Sequence, residues 1–133
     1  MMLVDTNVLS ELSRARPDPS VLVWAGTVDH VHLSVVTVEE VQFGLACRPN
    51  TRVSGWFDVF LAESATVLPI TDEIARRAGA LRGQLRARGQ ERTQADMLIA
   101  ATAAVHRLTI VTRNTKDFAG CGLPVLNPFG EAC

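Results

Sequence analysis

The chain has no apolar run approaching the roughly 18–20 residues that a membrane helix needs. The longest, Val21–Ala25 and Leu98–Val105, fall far short, and Thr102 interrupts the second. Its opening does not read as a secretory signal, because Asp5 follows only Met1–Val4 and no basic residues precede an apolar stretch. Cysteine is scarce. Cys47, Cys121 and Cys133 are odd in number, widely spaced and never arranged as CxxC. That disfavours a disulfide framework or a zinc site and fits a reducing cytosol; Cys133 is terminal and incidental. Net charge is also nearly absent, with 13 Lys+Arg against 14 Asp+Glu. A strongly basic nucleic-acid coat protein is thereby excluded, though a local basic patch is not. Tyrosine is missing altogether, so no aromatic platform for stacking bases is visible. The patterns GxxxxGKS/T, GxSxG and HExxH do not occur, which disfavours P-loop enzymes, α/β hydrolases and zincins. Gly120-Cys121-Gly122 lacks the third glycine of a dinucleotide fingerprint and reads as a turn.

What is present is enough for a core. At 133 residues, 47% hydrophobic and 20% charged, the chain reads as one ordered domain over residues 1–133. Short apolar runs alternate with longer amphipathic ones. Met2–Val4, Val31–Val36, Thr66–Ile70, Leu108–Thr112 and Pro124–Leu126 read as strands, the third at an edge or strand end because of Pro69. Helical patterns cover roughly 6–13, 19–28, 37–47, 52–63, 72–88 and 94–106. This alternation predicts an α/β fold, with a mostly parallel central sheet of about five strands flanked by helices.

Four acids stand out against that frame. Asp5 ends the first strand, and Asp117 follows the fourth by a few residues. Glu40 and Asp96 fall near predicted helix starts, in Thr37-x-x-Glu40 and Thr93-x-x-Asp96. Each alone has a capping explanation, and both patterns fit a capping box. Together they exceed what capping requires. In open α/β sheets the ligand crevice lies at the carboxyl ends of the strands. Carboxylates gathered there repel and need compensation. A hard divalent cation supplies it, so Mg²⁺ is expected, with Mn²⁺ as a substitute. The matching chemistry is hydrolysis of a phosphodiester by metal-activated water, with one metal or two.

The same residues carry a family likeness. Leu3-Val4-Asp5-Thr6-Asn7-Val8-Leu9-Ser10-Glu11 resembles the opening motif of PIN-domain proteins. Ser34–Gly44 resembles their second motif, Gln94–Ala103 their third and Val111–Phe118 their fourth. The likeness runs in order from Leu3 to Phe129, and is strongest to VapC-type toxins of bacterial type II toxin–antitoxin modules, in the FitB-like branch. It implies a Mg²⁺-dependent endoribonuclease, cytoplasmic in a bacterium and neutralised by a small VapB-like antitoxin. A homodimer or a toxin–antitoxin hetero-oligomer is implied too, with DNA bound only through the antitoxin.

Carried over residue by residue, Asp5, Glu40, Asp96 and Asp117 match the catalytic and metal-binding acids. Some members have an Asp where this chain has Asn114 and others use the acid at Asp117. Asp117 is taken as the fourth acid and Asn114 as a hydrogen-bonding support, with Thr6, Asn7 and Thr112 in similar supporting roles.

An acidic pocket needs cations around it to hold RNA. Residues 76–92 contain Arg76, Arg77, Arg82, Arg86, Arg88 and Arg92 against one acid, Glu91. Arg86, Arg88, Arg92 and Arg113 are the substrate-binding candidates, although an arginine-rich helix face is also simply well solvated. Trp24, Trp56, Phe57 and Phe60 suit core packing, and the resemblance adds a groove that receives the antitoxin. His30, His32 and His106 have no ligand-like spacing. The alternative to a nuclease is a catalytically weak domain that acts with the antitoxin in an operator-DNA complex. A receiver or a haloacid-dehalogenase-like phosphatase fits poorly, because the first strand ends in Asp5-Thr6-Asn7 rather than paired acids or DxD.

Overall fold

The structure is a computed structural model that describes residues 1–130; Cys133 lies outside the described residues. Strand β1 (Met2–Val4) ends at Asp5, whose extended backbone starts helix α1 (Thr6–Leu12). Helix α2 (Pro19–Ala25) begins with a proline whose missing N–H costs nothing there, and Asp18 caps it. Strand β2 (Val31–Ser34) runs directly into α3 (Val35–Cys47). Helix α4 (Thr51–Glu63), β3 (Ala65–Leu68), α5 (Asp72–Ala87) and α6 (Gln94–His106) follow. Strand β4 (Thr109–Val111), the 3₁₀ turn Thr115–Phe118 and β5 (Val125–Leu126) complete the order.

The strands form one sheet in the order β3-β2-β1-β4-β5, and every neighbouring pair is parallel. The chain builds outward from β1 through β2 to β3, then crosses back to add β4 and β5 on the other side. The strand order therefore reverses between β1 and β4, and a crevice opens above their carboxyl ends. β3 is an edge strand that stops just before Pro69, as the proline predicts.

Both faces of the sheet are buried, as parallel strands require. Leu3 and Ile110 point to one side, where they pack with Ile74, Leu85, Met97 and Phe118 from α5, α6 and the 3₁₀ turn. Their neighbours Val4 and Val111 point to the other, with Val8, Val21 and Phe57 from α1, α2 and α4. The period of two thus divides adjacent residues between two cores.

One boundary differs from the sequence reading. The run Val31–Val36 looks like a six-residue strand because Val35 and Val36 are β-branched. Instead Ser34 caps α3, accepting from Val36 N at 3.1 Å, and both valines are helical. Thr37-x-x-Glu40 is consequently not a capping box. Thr37 is a buried helical residue, and Glu40 is in the second turn rather than at the helix start.

Candidate functional site

Asp5 sits where β1 becomes α1, directly under the crevice. Its carboxylate is the most heavily bonded acid of the four. Oδ1 accepts from Thr6 N at 2.8 Å, while Oδ2 accepts from Thr112 Oγ1 at 2.8 Å and Asn7 Nδ2 at 3.0 Å. Thr112 comes from the end of β4 and is fully buried. It also accepts from Asn7 Nδ2 at 3.1 Å and from Asn114 N at 3.0 Å. Asn7 Oδ1 accepts from Arg113 N at 3.1 Å. The end of β4 and the start of α1 are therefore laced together through one carboxylate. Even so, burial raises the pKa of Asp5 above its usual value; its hydrogen bonds oppose this, and nearby Glu40 adds to the rise.

Glu40 reaches the same place from α3. Its Oε1 accepts from Thr6 Oγ1 at 2.6 Å, and Thr37 Oγ1 lies 3.2 Å from that hydroxyl. Thr37 and Glu40 are three residues apart and share a helix face; Glu39 is exposed and faces away.

Asp96 stands in the first turn of α6, whose cap Thr93 accepts from Asp96 N at 3.1 Å. One half of the expected capping box is thus present. Burial first, and then Asp5, Asp117 and Glu40 together, raise the pKa of Asp96. All three other acids act electrostatically on this one group. Asp117 lies in the 3₁₀ turn, its N–H donating to Asn114 O at 3.0 Å. The structure therefore brings the four sequence-selected acids to one region, from β1, α3, α6 and the turn after β4. Asn114 precedes that turn and makes no side-chain cap bond.

The contacts are electrostatic rather than a closed cage. Among the described residues, no three acidic, histidine or cysteine side chains enclose a ready-made ion site. The donor set is nevertheless all carboxylate oxygen, and its mutual repulsion is uncompensated by any ion pair to the four acids among the described residues. Mg²⁺ keeps several waters and takes one or two carboxylates directly, so an open group of acids fits it.

The basic candidates divide. Arg113 flanks the site, and its guanidinium carbon lies 4.5 Å from the centre of the Phe129 ring. Arg88 is exposed at the end of α5. Arg86 pairs with Glu91 at 3.4 Å. Arg92 is partly buried, donating to Glu91 O at 3.1 Å and Ala119 O at 3.2 Å. Two features are not visible in the sequence: the hydroxyl of Thr37, hidden by its resemblance to a cap, and the bond from Arg92 to Ala119 O.

Beside the acids, a cavity of about 250 Å³ opens between α1, α3 and α4. Leu9, Val41, Trp56 and Phe57 line it, and Thr6 and Glu40 form its end at the site. Trp56 stacks on Phe60 with ring centres 5.0 Å apart. A larger cavity of about 580 Å³ lies between α5, α6 and the 121–124 segment, and none of the four acids lines it.

A doubly wound parallel sheet with four acids gathered above its switch point defines an acid-centred α/β domain. The PIN domain family model matches residues 2–120, and the chain belongs to that family. It is 37% identical to VapC ribonuclease Y4jK of Sinorhizobium fredii, over 99% of this chain and 100% of that one. It is 34% identical to Toxin FitB of Neisseria gonorrhoeae, over 98% and 100%. Among solved structures, FitAcB from Neisseria gonorrhoeae superposes with a TM-score of 0.84 at 33% identity, over 98% of this chain and 100% of that one. A toxin–antitoxin complex from Klebsiella pneumoniae gives 0.77 at 30% identity, over 97% and 98%.

Proposed function

We propose that this chain is a divalent-metal-dependent endoribonuclease toxin, held inactive by a small antitoxin. The observation that carries the reading is the coupling of Asp96 to Asp5, Asp117 and Glu40 at the switch point of the sheet. Capping accounts for Asp5 and for the setting of Asp96, but not for three further acids whose charges raise the cost of ionising Asp96. Full-length similarity to proteins named VapC ribonuclease and Toxin FitB supports the same reading.

Asp5, Glu40, Asp96 and Asp117 are the residues that would hold Mg²⁺ or Mn²⁺. A bound ion supplies a water of lowered pKa and neutralises charge on a phosphoryl oxygen. The chain's own contribution is orientation. Thr112, Asn7 and Thr6 N fix both oxygens of Asp5, and the Thr6 hydroxyl fixes Glu40. Arg113 and Arg88 provide positive charge for the phosphates that flank the scissile bond.

The antitoxin's place is the cavity between α1, α3 and α4. Its apolar wall suits the apolar face of an amphipathic segment, and its end at Thr6 and Glu40 lets an occupant block the acids. Relatives of this fold include FitAB bound to the IR36 DNA fragment, 31% identical to this chain with a TM-score of 0.84. DNA contact by this protein would accordingly come through its antitoxin.

The test is cleavage of total RNA by the purified, partner-free chain in Mg²⁺ or Mn²⁺, beside an EDTA arm and Asp5→Asn. Cleavage lost in both controls supports the nuclease. A folded wild type that cuts no RNA, with or without either metal, contradicts it.

A further inference from the structure

The sequence offers Arg92 as a phosphate contact, but its surroundings assign it other work. Its guanidinium lies back on the chain, where Nη1 donates to Glu91 O and Nη2 to Ala119 O at the surface. Its Nε is buried and has no partner among the described residues. Two donors on backbone carbonyls and a third out of solvent hold the side chain in one place between two segments of the chain.

The two segments it joins both lead to acids. Arg92 immediately precedes Thr93, the cap of α6, and Asp96 lies one turn beyond. Ala119 immediately follows the 3₁₀ turn that contains Asp117. Other contacts press the same two segments together. Phe118 is fully buried in the core with Leu85 and Met97. Gly120 has a positive φ of 82°, and a Cβ there would come within 3.2 Å of Leu85 Cδ2 and 3.4 Å of Gln90 Oε1. A side chain at residue 120 would wedge the turn away from the α5–α6 connection. The 119–120 segment therefore lies against that connection, and Arg92 is the polar fastener between them.

We propose that Arg92 is a positioning residue. By tying the entry of α6 to the chain leaving the 3₁₀ turn, it sets the separation of Asp96 from Asp117 and so the cation affinity of the acid cluster. This inference rests on the reading of those acids as a metal site. Partners that only orient metal ligands change affinity by about 10–100-fold when removed, which sets the expected size of the effect.

The experiment compares wild type, Arg92→Ala and Arg92→Lys. Mn²⁺ affinity is measured by direct titration of each folded protein, with kcat, KM and the salt dependence of KM for RNA cleavage. Arg92→Ala should weaken Mn²⁺ roughly tenfold and lower kcat at subsaturating metal, with the salt dependence of KM unchanged. Arg92→Lys keeps a single donor nitrogen and the aliphatic stem, so it should recover part of the affinity and keeps the test open if Arg92→Ala fails to fold. Unchanged Mn²⁺ affinity in the folded variants overturns the proposal, whatever happens to cleavage. A raised KM with a shallower salt slope would identify a phosphate contact and also overturns it. Should wild type bind no Mn²⁺, the metal-site reading itself fails, a result distinct from a clamp that does not matter.

Discussion

Asp96 and Asp5 both carry a raised pKa, but they differ in what replaces the charge. Asp5 spends both oxygens on donors from Thr6, Asn7 and Thr112. An Asn there turns one acceptor into a donor facing donors. Asp96 is held against burial and three like charges, offset by a side-chain hydrogen bond from Thr93; an Asn keeps an oxygen that can accept from Thr93, so Asp96→Asn removes repulsion at little cost. Without metal, Asp96→Asn should therefore melt higher than wild type while losing cleavage, and Asp5→Asn should lose cleavage without that gain. The advantage depends on pH. A carboxyl whose folded pKa lies above its unfolded 3.8 destabilises the fold where both states are ionised. As pH falls through the raised value, the folded chain takes up the proton first and stability returns, fully so below the unfolded pKa. The gap between Asp96→Asn and wild type should thus be widest near neutrality and close towards pH 4. His32 works in the opposite sense, since burial and then His30 lower its pKa. The unfolded chain then gains protons first as pH falls through about 6.5, but subtracting the two melting curves cancels that contribution. Thr112→Val should cost about 1–3 kcal/mol in urea unfolding, because it takes a hydroxyl donor from the buried carboxylate of Asp5 and an acceptor from half-buried Asn7.

At the scale of elements, the start of α3 separates capping from site chemistry. Ser34 caps the helix, whereas Thr37 lies beside the Thr6 hydroxyl that holds Glu40. Ser34→Ala should cost about 1 kcal/mol of stability and leave the metal dependence of cleavage intact. Thr37→Val should raise the metal concentration needed for half-maximal cleavage. If Ser34→Ala shifted the metal dependence as far as Thr37→Val, the division of roles would be wrong. This helix also marks the limit of what could be read from residues alone. Five strands and six helices were legible from local rules of period and capping, and so were the strand-end position of Asp5 and the first-turn position of Asp96, whereas Glu40 was expected at a helix start and lies in the second turn. The β-branched pair Val35-Val36 concealed the strand–helix boundary, since an apolar β-branched run has no period of its own. The bond from Arg92 to Ala119 O was hidden for a different reason: its acceptor is distant in the sequence, and no local pattern marks it.

At the scale of the whole molecule, a net charge of −1 provides no general attraction for RNA. The proposed RNA binding would have to come from local cations, and Arg113 adjoins the acid network, its backbone N–H donating to Asn7 Oδ1. Arg113→Ala should raise KM for RNA and reduce the magnitude of its salt slope by about one if it neutralises one phosphate. An unchanged slope would remove Arg113 from the substrate path. The cavity between α1, α3 and α4 is continuous with the acids through Thr6 and Glu40, so one short segment laid along it can reach the site. Among the described residues no helix is long and apolar enough to cross a membrane.

In the proposed metal site, four carboxylates from four parts of the chain act on one cation. That joint action is tested most directly by melting the purified protein across a Mg²⁺ and Mn²⁺ titration, which requires no knowledge of the RNA target. Wild type should gain about 2.7 kcal/mol when metal reaches a hundredfold excess over its dissociation constant, and Asp96→Asn should gain much less. A wild-type melting temperature indifferent to millimolar metal, or an equal rise in wild type and Asp96→Asn, would contradict it.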